Sequence, residues 1–193
     1  MKIKGFAFYF CAIIISSLEI LNAQVIKKAP NQYSLEMGYR NLFYHTDNIT
    51  MNNMHGYGAL LDYAWQLGGL DGTKNASFIS VPIGYTVLPG GDSSTKQISM
   101  LNYGWTVRHE LSRNKKFIPF VGYGLLLNNL RIQDTPGSVF GHQTEFDFGY
   151  NIKTNSRLSY FIKLQYSYTS YPKLDDSQRI KFHFADLRFG VRL

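Results

Sequence analysis

Cysteine is almost missing from this chain: one occurs in 193 residues, at position 11, inside the first apolar run. The rest of the chain therefore has no internal disulfide, no thiolate metal ligand and no cysteine nucleophile. Cys11 precedes most of that apolar run, the wrong place for lipid attachment. Blocks of like charge are missing as well. The formal net charge is +7, yet no Lys/Arg run is longer than the pairs at 27–28 and 115–116. A nucleic-acid interface concentrates its cations in a stripe or a basic helix, so none is expected here. Scattered positive charge instead suits solubility and an anionic membrane surface. After residue 23 no segment is long and apolar enough for a membrane helix, which excludes a helical membrane protein. It leaves strands, which hide their hydrophobicity in alternation. His45, His55, His109, His142 and His183 show no metal-ligand spacing, so no metal and no cofactor is expected.

The first 23 residues read as an export signal: the basic "MKIK", the apolar "GFAFYFCAIIISSLEIL" and the small Ala23 at the cleavage position. Residues 24–32 form a short lead, and 33–193 a single domain.

Helical spacing is nearly absent from that domain, and period-two alternation recurs throughout. Eight strands are predicted, at 33–42, 56–67, 76–88, 98–111, 117–130, 142–152, 158–170 and 180–193. Tight polar links ("GGLDGTKN", "SRNKK", "TNSRL") alternate with longer segments at 43–55, 90–97, 133–141 and 171–179. In an up-and-down arrangement all tight links fall at one end and all long loops at the other. Strands of this length can cross a bilayer, since a tilted strand needs about 9–11 residues.

The two faces of these strands differ sharply. One carries Leu35, Met37, Tyr39, Tyr57, Leu61, Tyr63, Trp65, Ile79, Ile83, Tyr85, Leu101, Trp105, Phe146, Phe148, Leu164, Tyr166, Leu187 and Phe189. The other carries Glu36, Arg40, Asp62, Arg108, Glu110, Glu145, Asp147, Lys163, Asp186, Arg188 and Arg192. An eight-stranded interior is only wide enough to be filled by side chains, and a full set of rings would overfill it. The greasy face is also free of Lys and Glu over several strands, as a hydrocarbon surround requires. The expected fold is an all-β, eight-stranded, antiparallel up-and-down transmembrane barrel, with lipid against the apolar face. The eleven ionic residues then point inward and pair, forming a structural charge network that plugs the lumen. Gly38, Gly104 and Gly149 share the inner face and make room there. Three irregularities are predicted: a bulge or a local break at Pro82 near the tight-link rim, imperfect alternation around Phe120 and Leu125–Leu127, and a bulge in the last strand between Phe184 and Leu187.

The segments "FISVPIGYTV" (78–87), "FIPFVGYGLLL" (117–127), the hairpin 146–170 and the closing "LRFGVRL" (187–193) resemble the small outer-membrane β-barrel proteins of Bacteroidetes-type bacteria. These share the architecture of OmpA and OmpX. The resemblance implies a bacterial outer-membrane location and insertion by the barrel-assembly machinery. Such chains often end in an aromatic residue that this machinery reads, whereas this one ends in Leu193 with Phe189 four residues earlier.

No reaction is named by the sequence. A non-enzymatic role is expected, structural or through loops, with outer-membrane lipid and an extracellular molecule as partners. Phe43, Tyr44, Ile49, Met51 and Met54 place apolar groups outside the predicted strands and are the expected loop contacts. The alternative is a lipid-modifying enzyme of the lipid A deacylase kind, for which "RHELS" (108–112) offers His109, Glu110 and Ser112. In that kind of enzyme the His and Ser stand two apart; here they stand three apart, on opposite faces. A small pore is a third reading.

Overall fold

A computed structural model describes residues 31–46, 54–68, 75–90, 96–112, 116–154, 158–172 and 179–193. The expected signal segment, Ile49 and Met51 lie outside the described residues. Eight strands follow one another: β1 (Gln32–Thr46), β2 (His55–Gly68), β3 (Ser77–Leu88), β4 (Ile98–Glu110), β5 (Phe117–Ile132), β6 (Val139–Lys153), β7 (Ser159–Ser170) and β8 (Lys181–Arg192). Each pairs antiparallel with its chain neighbour, and β1 pairs with β8 to close the barrel. Closure leaves no edge strand, so the ladder runs round the whole wall.

Outward side chains are apolar and exposed around the whole wall: Leu35, Met37, Leu61, Ile83, Trp105, Leu125, Phe146, Leu164 and Phe189. Inward side chains are mostly buried and, over the lower barrel, a mixture of ionic, small and bulky apolar groups. The inner face is crowded. A Cβ built on Gly38 would come within 2.6 Å of the Arg188 Cγ, and one on Gly149 within 2.6 Å of the Phe120 ring.

Towards the end that carries the longer expected loops, the polarity reverses. The inward positions there are Leu42, Met54, Leu88, Ile98, Met100, Leu130, Ile180, Phe182 and Phe184, with Tyr171 among them, packed as one apolar cluster. The outward positions at the same level include Ser99, Asn129, Arg131, His142, Ser170 and Lys181. Greasy outside and ionic inside suits hydrocarbon; polar outside and greasy inside suits water. The reversal marks the level at which the wall leaves the lipid. It also explains strand length. β5 has 16 residues, more than the roughly 9–11 a membrane crossing needs, and its last turn of ladder is held by the apolar cluster.

The packing of the inner face accounts for four departures from expectation. In β5, Phe120, Leu126 and Leu130 point inward in strict alternation, so the strand is regular. In β8, Phe182 and Phe184 are inward and buried, in phase with Asp186, so β8 has no bulge. The bulge lies on the facing strand, between Leu42 and Tyr44 of β1. Phe43 and Tyr44 are consequently strand residues on the outer wall, both exposed and packed on His183 at 6.1 and 5.1 Å between ring centres. Met54 is 3% exposed and belongs to the inner cluster. An apolar side chain at this level gains more by filling the barrel mouth than by facing solvent, which is why Met54 turns inward. The connection between β5 and β6 shortens to residues 133–138.

Pro82 sits in the middle of β3, away from the rim. β3 aligns with β2 through Asp62 and Pro82, but its ladder to β4 is interrupted between Ser80, paired with Thr106, and Ile83, paired with Tyr103. Proline has no N–H to give to that side.

Candidate functional site: the lumen and the outer wall

The inner face is built in three layers. At the tight-link end, Phe78, Phe120 and Phe161 close the barrel. Arg108 lies 4.4 Å over the Phe78 ring and Arg192 4.4 Å over the Phe161 ring. Stacking a guanidinium on a ring holds a cation where no carboxylate reaches it. Arg108 also donates to Gln32 Oε1 at 2.7 Å, Arg192 donates to Asn151, and Asn151 donates to Glu110 at 2.9 Å.

The middle layer is ionic. Lys163 lies 2.9 Å from Glu36 and 3.2 Å from Asp147. Arg40 donates through Nε to both oxygens of Asp186 at 2.9 Å and through Nη2 at 2.7 Å. Arg188 adds Nη2 to Asp186 at 2.9 Å. Of the eleven residues expected to pair, Glu36, Arg40, Asp147, Lys163, Asp186 and Arg188 form these ion pairs. Asp62, Arg108, Glu110, Glu145 and Arg192 form none among the described residues. Glu145 is held by amides instead, Gln143 at 3.1 Å and Gln165 at 2.6 Å.

Those amides begin a neutral chain that sequence reading missed. Tyr171 donates to Asn128, Asn128 donates to Asn102 and to Gln143, and Thr169 donates to Gln143 at 3.3 Å. The chain links the ionic layer to the apolar cluster above. Asn and Gln are ordinary loop residues too, and only the register places these opposite one another. Arg40 marks the junction, lying 4.7 Å over the Phe184 ring while it grips Asp186.

Within the lumen lies a cavity of about 30 Å³ bordered by Glu36, Asp62, Arg108, Asp147 and Lys163. One water needs roughly 10–15 Å³ measured in this way, so the cavity has room for water and for little else.

On the outer wall, His109 is bonded to Ser77, Oγ to Nδ1 at 2.8 Å, across the β3–β4 ladder. Ser112 lies beyond the end of β4, and Glu110 is buried on the inner face against Asn151. His109, Glu110 and Ser112 are therefore not brought together. No carboxylate joins the Ser77–His109 pair among the described residues. A Ser–His pair gains a strong base only when a third group orients the imidazole. Among the described residues no group of three or more His, Cys, Asp or Glu is arranged to hold a metal ion.

A closed eight-stranded antiparallel barrel, ionic within and apolar without, defines the outer-membrane β-barrel class. The chain is similar in fold to solved outer-membrane barrels. Neisserial surface protein A superposes with a TM-score of 0.61 at 12% identity, covering 84% of this chain and 96% of that one. Ail of Yersinia pestis, solved in complex with the heparin analogue sucrose octasulfate, gives 0.46 at 16%, covering 84% and 99%. The outer-membrane enzyme PagL gives 0.46 at 15%, covering 81% and 97%. At these identities the likeness is one of fold. No protein-family model and no curated protein matches the sequence.

Proposed function

We propose that this protein is a closed, non-enzymatic barrel of the bacterial outer membrane. In this reading it serves as a membrane-anchored support whose externally exposed end meets other molecules. The carrying observation is the filled lumen: aromatic rings with arginines, then ion pairs, then an apolar cluster, with a cavity of about 30 Å³ among the ionic groups. Three layers of different chemistry stacked along the lumen support a barrel without a continuous aqueous path. Insertion depends on the barrel-assembly machinery, and lipid is the partner of the wall. An extracellular partner would meet the connections beyond the apolar cluster, with Phe43 and Tyr44 at their base.

The test is conductance. The purified protein in a planar lipid bilayer should give no steady open level in molar salt. A stable ohmic step would contradict a plugged lumen and favour a pore. Arg40→Ala with Asp186→Ala should leave the bilayer equally silent, because the apolar layer lies above that pair.

A further inference from the structure

Two hollows on the outer wall meet at Leu101. The lower, of about 380 Å³, is wholly within the apolar belt and is lined by Val81, Ile83, Leu101, Tyr103 and Trp105. It lies over the interruption that Pro82 makes in the β3–β4 ladder. The upper, of about 470 Å³, is lined by Tyr85, Ser99, Leu101, Asn129, Arg131 and Ser138. The register sets them in line. Leu101 stands between Tyr85 and Asn129, and Ser99 stands between Val87 and Arg131. The upper hollow is at the level where the inner face turns apolar, at the water boundary of the membrane. The Arg131 guanidinium is exposed and has neither ion pair nor hydrogen bond among the described residues.

We propose that this double hollow holds one phosphorylated, acylated glycolipid of the external leaflet, of the lipid A class. The inference rests on the outer-membrane reading above. An acyl chain lies in the lower hollow against Ile83, Leu101 and Trp105. The phosphate meets Arg131, whose planar fork matches phosphate oxygens. Ser99, Asn129 and Ser138 offer hydroxyl and amide groups to the sugar. Two features favour a sugar phosphate over a phosphoethanolamine lipid. The hollow presents one cation and several neutral hydrogen-bonding groups. It presents no carboxylate among its lining residues to receive an ammonium. The lower hollow lies beside the interrupted ladder, so the barrel wall itself supplies the chain site.

The test uses the full-length barrel refolded in phosphatidylcholine nanodiscs, titrated with hexa-acyl diphosphoryl lipid A and read by native mass spectrometry. Wild type should retain one lipid A. Arg131→Glu should weaken retention by about tenfold or more, as expected for loss of a charge-assisted contact. Leu101→Trp, which fills the junction with an apolar ring, should weaken it for the diphosphoryl and the dephosphorylated lipid alike. Lys181→Glu, an outward cation on the opposite wall, should leave it unchanged. Equal weakening by Arg131→Glu and Lys181→Glu, or none by Arg131→Glu, would overturn the site while the membrane reading stood. Recovery of the protein folded in water without detergent or lipid would overturn that reading instead.

Discussion

Asp186→Ala should cost the barrel about 3–5 kcal/mol, the usual penalty for removing one partner of a buried ion pair. Asp186 is gripped by Arg40 at 2.7 Å and by Arg188 at 2.9 Å, with all three side chains nearly sealed from solvent. Alanine would leave two guanidiniums facing each other in the lumen, with no carboxylate to replace the lost one. Glu36 is engaged with Lys163, and Glu145 with its two amides. The measurement is the urea midpoint of the protein refolded in lipid vesicles, followed by the gel-mobility shift between folded and unfolded barrel. Arg40→Met with Asp186→Leu should recover most of the loss, because replacing both members of a buried pair by apolar groups is far milder than orphaning one. A loss under about 1 kcal/mol for Asp186→Ala would mean that the lumen is wet enough to solvate its cations.

The second large effect belongs to the wall. Leu61 is outward and exposed, between Leu35 and Ile83 on neighbouring strands. Leu61→Arg should destabilise the inserted barrel by about 2–4 kcal/mol, the range for a cation facing the bilayer midplane. Asn129→Arg should cost only about 0–1 kcal/mol, because Asn129 stands at the level where the polarity reverses. The pair of values, read from the same vesicle titration, maps the membrane boundary onto the wall. Equal costs at the two positions would place both in one medium and remove the boundary.

What the sequence showed and what it hid follow one physical rule. Lipid tolerates no outward charge at depth, so the apolar face of β2, β6 and β7 is uninterrupted and its alternation can be read directly. The inner face obeys no such rule along its length. Above the membrane it must be apolar, and Phe182 and Phe184 of β8 then look like outward residues followed by a slip. Phe120 and Leu126 of β5 mislead for another reason: they are apolar residues that fill the inner face below the apolar cluster. Met54 read as a loop contact because an isolated apolar residue beside a predicted strand gives no sign of turning inward. The ionic residues were visible as a set, but their partners were not. Arg40 finds Asp186 across the closing β1–β8 pair, 146 positions along the chain. Arg108 and Arg192 settle on rings where carboxylates were expected. The Ser77–His109 bond also depends on strand register, which alternation does not specify.

The chain has two tryptophans, both on the outer wall, and Trp105 is 57% exposed in the middle of the apolar belt. With Trp65→Phe, Trp105 becomes the sole indole reporter. In vesicles of lipids brominated near the middle of their acyl chains, its emission should be blue-shifted, strongly quenched by the bromines and little affected by aqueous acrylamide. Emission that ignores the brominated chains and is quenched by acrylamide would put this face in water, and the assignment of the apolar wall to lipid would be wrong.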